Sequence, residues 1–583
     1  MRGWKLVLGY LNRYRWPLAG GIAALLVSNA AILTIPELFA RGMKAIEEPF
    51  NRGDPVDVGR VGHFALLALG VAVLSATGNF FKRYLIVGTS RRVEADMRRD
   101  LFRHIEKLPL HYYDQTRTGD LLSRATADIE AVRMAIGPSI MYLADAVLKS
   151  VGVLVLMLVI NAELTLWALS PLVGIAIGLI FFAPRIQRAS RAVQDGVAAI
   201  SARTQESFAG GRVVRTFATE DFENAELDLL GREYLDRNVA LARVRGATTA
   251  WTAFMGATAA ALTLFVGGRQ IIDGEFTISR LIQFNSYQAI LIWPMIAFGW
   301  VLALIQRGRA GLERIQEIMS LDLEADDGTV DAPRRGHVEV RDLTFAYGDE
   351  PVLRDIAFDL PAGRTLGIVG ATGSGKSTIV SLLTRLYDPP RGTMRIDGTD
   401  VHDLTLDRLR RAVTIVPQEA FLFSATLREN ILHGRPDATD AQLDAAVEDA
   451  RLAADLPQLP DGLDTVVGER GVTLSGGQKQ RATLARALIS DAPILVLDDS
   501  LSAVDSETET AILHNLRRVR EGRTAIIVAH RISALRDADH ILLLRDGHIA
   551  EQGTHDELVA LDGEYARIAR AQALEEEIEA IDR

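Results

Sequence analysis

The segment that decides the fold is GATGSGKS, Gly370–Ser377. It lies between an apolar run, TLGIV, and a helical pattern, STIVSLLTRL, and it matches the phosphate-binding pattern G-x-x-x-x-G-K-[ST]. Glycines let backbone N–H groups curl around phosphates, and the N-terminus of the following helix adds a favourable field. Lys376 would reach the β- and γ-phosphates, and the Ser377 hydroxyl would bind Mg²⁺. The predicted nucleotide contacts are Gly370, Ala371, Thr372, Gly373, Ser374, Gly375, Lys376, Ser377 and Thr378.

A second acidic element follows the phosphate loop along the chain. The run ILVLDDS, Ile494–Ser500, is an apolar strand pattern that ends in two aspartates. Asp498 is placed to hold Mg²⁺, directly or through water. Similar short apolar runs alternate with helical patterns through this half of the chain, and that alternation predicts an α/β domain with a largely parallel sheet.

The first half of the chain is different, because it contains six long apolar stretches. A helix of about 20 apolar residues crosses a bilayer. One such stretch alone is equally compatible with a buried core helix, but six in succession predict an all-α membrane domain ahead of the α/β domain. The stretches lie near 17–40, 61–83, 138–160, 163–184, 247–268 and 280–304.

Charge in the segments between these stretches predicts their orientation. The long segments 84–137 and 185–246 are rich in arginine, whereas the opposite loops are short or acidic. Because positive loops stay on the cytoplasmic side, we expect both termini to be cytoplasmic. The predicted location is the inner (plasma) membrane, with the lipid bilayer as a partner.

Changes in composition predict the domain boundaries. Residues 1–16 are basic and amphipathic, lack the core of a cleaved signal peptide, and predict an interfacial helix. The charged end of the chain is read as a terminal helix that is either solvated or in contact with a partner. The predicted parts are 1–16, the membrane domain 17–320 with two long cytoplasmic loops, a linker 321–337, the nucleotide-binding domain 338–572, and the charged helix 573–583.

Composition also excludes several classes of function. The 583-residue chain has a net charge of -11, which argues against a nucleic-acid partner because such proteins need a basic face. It contains no cysteine, which excludes disulfides, thiolate metal sites and thiol nucleophiles.

The sequence LSGGQ, Leu474–Gln478, lies between the phosphate loop and the second acidic strand. With it, essentially the whole chain resembles the ABC transporter family, and the membrane half resembles its exporters. The resemblance implies ATP and Mg²⁺ as cofactors and two ATP domains paired head to tail. Each signature then contacts the γ-phosphate held by the other domain. Its predicted nucleotide contacts are Ser475, Gly476, Gly477 and Gln478.

Several single residues also match functional positions of this family. Tyr347 corresponds to the aromatic residue that stacks on adenine, Gln418 to the glutamine that senses Mg²⁺, and His530 to the switch histidine at the γ-phosphate. Taken alone, Tyr347 could be an ordinary edge-strand aromatic and His530 a capped strand end. The resemblance also assigns Asp505 to a loop that crosses to the partner and the segments 112–124, 205–221 and 465–471 to coupling between domains.

One residue departs from the family pattern. Members that hydrolyse ATP efficiently have glutamate directly after the strand-end aspartate, where this chain has Asp499. With an intact signature and His530, this pattern resembles one subunit of a heterodimeric exporter whose own ATP site is slow. The predicted catalytic residues are Asp499, His530 and Gln418, and the predicted metal ligands are Ser377, Gln418 and Asp498. A homodimeric exporter or lipid flippase, and an ATP-switched regulator or channel, remain alternatives.

Charged residues inside the apolar stretches are candidates for a substrate site, because burying them in lipid is costly. Lys82 and Arg83 end the second stretch, and Asp145 and Lys149 are four residues apart in the third. They could line a cavity with polar and aromatic residues of 283–300, or Lys82 and Arg83 could extend to the membrane surface while the others pack between helices. The expected substrate is small and hydrophobic or amphipathic: a drug, a lipid or a peptide.

Overall fold

The computed structural model describes residues 2–326, 328–330, 335–468, 474–500, 511–512, 514–515 and 522–581. The chain divides into two compact units. Unit 1 comprises Met1–Glu106 and Thr118–Leu321, and unit 2 comprises Lys107–Arg117 and Asp322–Arg583.

Unit 1 is entirely helical in the described residues. Six of its helices are long and apolar enough to cross a membrane, which confirms the six predicted spans. The helices are α1 (Arg2–Arg13), α2 (Arg15–Arg52), α3 (Val58–Ile105), α5 (Thr118–Ile160), α6 (Ala162–Ala209), α7 (Gly211–Thr216), α8 (Glu220–Ile272) and α9 (Ile278–Met319), while α4 (Leu110–Gln115) belongs to unit 2.

Side-chain caps fix where three of the long helices begin. The Asp57 carboxylate accepts a hydrogen bond at the start of α3, Asn161 Oδ1 accepts the Leu164 N–H at 2.9 Å before α6, and Thr277 caps α9. Each cap occupies a backbone N–H that has no partner within its helix. Helix α5 contains two π-helical segments, and Pro138 lies in the second, where its missing N–H interrupts the regular ladder.

Three charged residues of the second and third spans, Lys82, Asp145 and Lys149, form one cluster. Lys82 Nζ donates to Asp145 Oδ1 at 2.9 Å, and Lys149 Nζ donates to Asp145 Oδ2 at 2.7 Å. Lys82 is only 5% exposed, so the alternative in which it extends to the membrane surface is wrong. One carboxylate therefore holds two ammonium groups between α3 and α5.

Polar residues of α9 also bind neighbouring helices. Gln283 Nε2 donates to Glu37 Oε2 at 2.5 Å, and the buried Tyr287 hydroxyl donates to the Leu33 carbonyl at 3.0 Å. These two side chains thus hold α9 against α2, which favours helix packing over a substrate cavity for this pair.

Unit 2 is an α/β unit with two sheets, as the sequence predicts. The antiparallel sheet has the order β2-β1-β4-β5 and the larger sheet the order β10-β9-β3-β8-β7-β6, in which only β10 is antiparallel. The strands are β1 (Val338–Ala346), β2 (Pro351–Leu360), β3 (Thr365–Gly370), β4 (Met394–Ile396), β5 (Thr399–Asp400), β6 (Val413–Val416), β7 (Ile494–Asp498), β8 (Thr524–Val528), β9 (His540–Arg545) and β10 (His548–Gly553).

The larger sheet is buried on both faces. Every residue of β3, β7 and β8 is buried, and successive residues of β7 enter two different apolar clusters, one on each face. The described helices are α10 (Lys376–Leu383), α11 (Leu406–Ala412), α12 (Leu427–Leu432), α13 (Asp440–Asp449), α14 (Gly476–Leu488), α15 (His555–Ala560) and α16 (Glu564–Ile581).

A short segment from the membrane half of the sequence belongs to unit 2. Residues 107–117, which include α4, cluster with it, and the Glu324 N–H donates to the Lys107 carbonyl at 2.9 Å. The Tyr387 hydroxyl donates to the Asp114 carboxylate. Burial and this bond to an anion raise the pKa of Tyr387, which keeps it protonated as a donor. This segment contains the start of the predicted first coupling turn.

The buried lysine–aspartate cluster gives the first testable prediction. Asp145→Asn leaves the buried Lys82 and the partly exposed Lys149 without a counter-charge, whereas Lys82→Met leaves Asp145 paired with Lys149. Breaking a buried pair so that a charge is uncompensated costs about 3–5 kcal/mol. We therefore expect Asp145→Asn to lower the melting temperature of the detergent-purified protein clearly more than Lys82→Met does. Equal shifts in thermal-denaturation measurements would contradict the shared-carboxylate arrangement.

Candidate nucleotide-binding site

The phosphate loop connects the end of β3 to the start of α10. Gly373 and Gly375 adopt left-handed backbone conformations, with φ of +83° and +101°, which favour glycine. At Gly370 a side chain is excluded by packing, because an added Cβ would lie 2.3 Å from the Leu544 carbonyl oxygen of β9. The glycines therefore allow a tight turn pressed against the sheet, with open space at Gly373.

Lys376 folds back over this loop. Its Nζ donates to the carbonyls of Gly370 and Ala371, both at 2.9 Å, and the side chain is buried. Burial lowers the pKa of Lys376, while the nearby carboxylates of Asp499 and Asp498 act in the opposite direction. The loop thus holds the Lys376 ammonium group at its centre. Among the described contacts, this group forms no direct ion pair with Asp498 or Asp499.

Asp498 ends β7 beside the first turn of α10. The Ser377 hydroxyl donates to Asp498 Oδ1 at 3.2 Å. Burial raises the pKa of Asp498, the bond from Ser377 opposes that rise, and the charge of Asp499 adds to it. A divalent cation would relieve this crowding of negative charge. A hydroxyl and a carboxylate are the oxygen ligands that Mg²⁺ prefers, so these residues fit the ion.

The predicted catalytic residues meet at one cavity of about 240 Å³. Gln418 Nε2 donates to Asp499 Oδ2 at 3.4 Å, and His530 Nε2 lies 3.9 Å from the same oxygen. Lys376, Ser377, Asp498, Asp499, Gln418 and His530 all line the cavity. Ser374 in the same loop has a buried hydroxyl with no hydrogen-bond partner in the described part of the chain, as expected if a phosphate supplies one. The cavity therefore fits a nucleotide phosphate with its metal.

Tyr347 lies beside the loop. Its hydroxyl donates to Thr378 Oγ1 at 3.2 Å, and its ring packs edge-on against Phe345 and Tyr387. The side chain is 52% exposed, which leaves surface available for a stacked base.

The signature segment is not brought to this cavity. Ser475 caps α14, its side chain accepting the Gln478 N–H while Gln478 Oε1 accepts the Ser475 N–H at 3.0 Å. None of the described residues Leu474–Gln478 lines the phosphate-loop cavity. Asp505 and the end of the predicted coupling segment, 469–471, lie outside the described residues.

Two family patterns match successive parts of the chain. The pattern for the ABC transporter transmembrane region matches residues 18–295, and the ABC transporter pattern matches residues 353–502. A multidrug resistance-like ATP-binding protein of Escherichia coli, MdlA, is 36% identical over 97% of this chain and 96% of its own. This chain belongs to the ABC transporter family.

Other relatives and a solved structure extend the similarity of this ABC transporter. A probable multidrug resistance ABC transporter of Bacillus subtilis, YheI, is 36% identical over 88% of each chain. An ATP-dependent lipid A-core flippase of Photobacterium profundum is 32% identical over 98% of this chain and 97% of its own. The structure of a bacterial Atm1-family ABC exporter with ATP bound has a TM-score of 0.77 at 28% identity, covering 96% and 98% of the chains.

The family establishes the coarse function of the site. The chain is a membrane protein, and its ABC domain indicates ATP binding and ATP hydrolysis coupled to transport. The exporter-like resemblance read from the sequence is confirmed by these relatives and by the Atm1-family fold.

Sequence reasoning missed one residue of the ABC transporter's site. Gln572 lies on α16, and its Nε2 donates to the His530 carbonyl at 2.8 Å while its Oε1 accepts the Ile532 N–H at 2.7 Å. Both ends of one amide thus hold the backbone on either side of Arg531. A single glutamine in a charged terminal helix carries no pattern that marks it, so only the folded contact reveals it.

A matched pair of glycines tests the packing of the phosphate loop. Gly370→Ala forces a methyl group onto the Leu544 carbonyl, whereas Gly373→Ala meets open space and incurs only left-handed backbone strain of about 1–2 kcal/mol. We expect Gly370→Ala to lose most fluorescent-ATP binding and Gly373→Ala to keep more of it. The reverse order in equilibrium titrations would contradict the described loop.

The amide clamp predicts a local change in hydrogen exchange. In Gln572→Ala the Ile532 N–H loses its acceptor, and a hydrogen bond contributes about 0.5–1.5 kcal/mol. We expect exchange in the peptide containing Ile532 to quicken about three- to ten-fold, measured by mass spectrometry. Arg570→Ala, on the same helix but paired with Asp562, is the control and leaves that peptide unchanged.

Proposed function

We propose that this chain is one subunit of a heterodimeric ABC exporter that moves a hydrophobic or amphipathic substrate out of the cell by alternating access. Its own phosphate loop forms a slow ATP site, and its signature completes the faster site on a different partner chain. The observation that carries this proposal is Asp499 at the position where efficient members of the family have glutamate, combined with an intact signature.

The residues of the cavity take separate roles in this proposal. The phosphate loop and Lys376 hold the phosphates, and Ser377, Asp498 and Gln418 hold Mg²⁺. When bound, the metal ion neutralises charge on the phosphate oxygens. His530 contacts the γ-phosphate, and Tyr347 stacks on the base. The distances around Asp498, Asp499, Gln418 and His530 support these roles because all four side chains line one cavity with the loop.

The length of the Asp499 side chain supports a slow site. Aspartate is one CH₂ shorter than glutamate, so its carboxylate falls short of an attacking water by more than about 1 Å, a misplacement that can cost on the order of 10²-fold. General-base assistance is itself typically about 10²–10⁴-fold. Asp499 also accepts a hydrogen bond from Gln418 at 3.4 Å, which occupies part of the short carboxylate.

The separation of signature and phosphate loop supports a paired assembly. Ser475–Gln478 lie at a capped helix N-terminus, where backbone N–H groups and the helix field favour a phosphate. Since these described residues do not line the chain's own cavity, the phosphate they serve belongs to the partner.

The relatives support a substrate with apolar character. The similar proteins include a probable multidrug resistance transporter and a lipid A-core flippase, and lipids and many drugs are amphipathic or apolar. We place the protein in the inner membrane with both termini cytoplasmic, in accordance with the arginine-rich segments that the sequence assigns to that side. The bilayer is a partner, and nucleic acid is not.

Two variants of the assembled transporter test this asymmetry. The complex is purified through a tag on this chain from the cells that normally make it, and its composition is recorded. Gly477→Asp introduces a negative charge into the signature and is expected to abolish most ATP turnover by blocking the partner's site. Asp499→Asn affects only the slow site. This variant is expected to retain most of the ATP turnover and most of the ATP-driven dye uptake into inverted vesicles.

The controls separate the rival assemblies. Purified alone, the wild-type chain is expected to turn over ATP little, and Asp499→Glu is the matched variant. If this chain alone forms a dimer with robust ATP turnover, and Asp499→Asn abolishes that turnover, the transporter is a homodimer and the heterodimer is wrong. An assembled complex that hydrolyses ATP without moving any of a panel of dyes and lipids would favour the regulator or channel.

A further inference from the structure

A groove of about 560 Å³ runs along α3 beside the start of α2, away from the nucleotide site. Its apolar part includes Phe80 and Tyr84, whose rings stack with centroids 6.0 Å apart at an interplanar angle of 8°. Both aromatic side chains are more than 60% exposed. Arg83, Arg91 and Arg92 line the same groove. It therefore combines an aromatic wall with three guanidinium groups.

The three arginines differ in how their charge is compensated. Arg91 Nη1 lies 3.0 Å from Glu94 and 3.5 Å from Glu130. Among the described residues, Arg83 and Arg92 have neither an ion pair nor a side-chain hydrogen bond, while Arg98 and Arg99 on the same helix pair with Glu94 and Asp96. The groove thus carries about two unneutralised positive charges.

A buried hydroxyl gives a second, independent indication of a ligand. Thr89 lines the groove and is 2% exposed, yet its Oγ1 has no hydrogen-bond partner among the residues that the structure describes. A helical threonine ordinarily bonds the carbonyl four residues earlier when nothing else is available. Because an unpaired buried hydroxyl is costly, the groove is missing an acceptor or donor at this position.

The position of the groove along α3 indicates the class of ligand that it binds. Arg83 ends the apolar second span, and α3 continues from there to Ile105, directly before the segment that clusters with the nucleotide-binding unit. The groove therefore lies where the apolar span gives way to a polar helix. Tyrosine and tryptophan rings favour this boundary, and basic residues there attract anionic lipid headgroups.

We propose that this groove is a binding site for an anionic phospholipid of the bilayer. The phosphate lies among Arg83, Arg92 and the Thr89 hydroxyl, and an acyl chain lies along Phe80 and Tyr84. The site is separate from the ATP cavity and requires neither a heterodimer nor a particular exported substrate.

Lipid binding is measured on the full chain in detergent by native mass spectrometry. Phosphatidylglycerol is compared with phosphatidylcholine of the same acyl chains, and with glycerol phosphate at equal concentration. An arginine near an anionic lipid surface contributes about five-fold to affinity, so Arg83→Ala/Arg92→Ala is expected to weaken phosphatidylglycerol binding about 25-fold. The control Arg60→Ala/Arg280→Ala removes the same charge near the first residues of α3 and α9. Neither residue lines the groove, so this control is expected to leave phosphatidylglycerol binding unchanged.

A filling variant keeps the charges and blocks the space. An added Cβ at Gly88 meets nothing within 4 Å, so Gly88→Leu is expected to place its side chain in the groove and to weaken phosphatidylglycerol binding at least ten-fold. Three results would each overturn the lipid site. Phosphatidylcholine could bind as tightly as phosphatidylglycerol, or the two double arginine variants could weaken phosphatidylglycerol binding equally. Gly88→Leu could also bind phosphatidylglycerol as tightly as the wild type does. Binding of glycerol phosphate as tight as that of the lipid would assign the groove to a free phosphate compound instead.

Discussion

The nucleotide site depends on burial of the ends of two parallel strands, β3 and β7, which are covered along their full lengths. Parallel strands place their carboxyl ends at one edge, and β8 alone separates these two. Lys376 and Asp498 therefore meet in a poorly solvated place, where burial lowers the pKa of the lysine and raises that of the aspartate. Each shift disfavours the charged form, so bound phosphates would favour the charged lysine and a bound metal ion would favour the charged aspartate.

Burial and charge pairing also distinguish the Lys82–Asp145–Lys149 cluster from the groove on α3. Lys82 is buried and Lys149 is partly exposed, and both are satisfied by Asp145, so they form a closed structural unit with a single shared carboxylate. Arg83, one residue along, is exposed and has no carboxylate partner within the described ranges of the chain. Successive residues on a helix point about 100° apart, which sends one cation into the bundle and the next towards its surface. Neighbouring charges in sequence thus acquire opposite roles.

Local patterns made much of this fold predictable. The six spans follow from apolar length, and the parallel sheet follows from buried runs between helices, because both signals lie within about 20 residues of sequence. The phosphate loop is equally local. The Lys82–Asp145 bond joins residues 63 apart, and the two bonds of the Gln572 clamp join residues 40 and 42 apart. Such contacts depend on how helices and strands pack, and no spacing rule in one sequence specifies them.

The backbone at Asp499 shows why side-chain length governs this position. Its φ is +44°, a left-handed conformation in which aspartate and asparagine are several-fold enriched. Its N–H donates to the Val528 carbonyl at 2.9 Å, so β8 holds this conformation in place. Glutamate would occupy the same backbone with strain of about 1–2 kcal/mol at most, roughly a factor of five to thirty. General-base assistance at about 10²–10⁴-fold outweighs that strain. A glutamate here would therefore gain more in reach than it lost in strain. The aspartate at this position therefore fits the slow site of the proposed heterodimer.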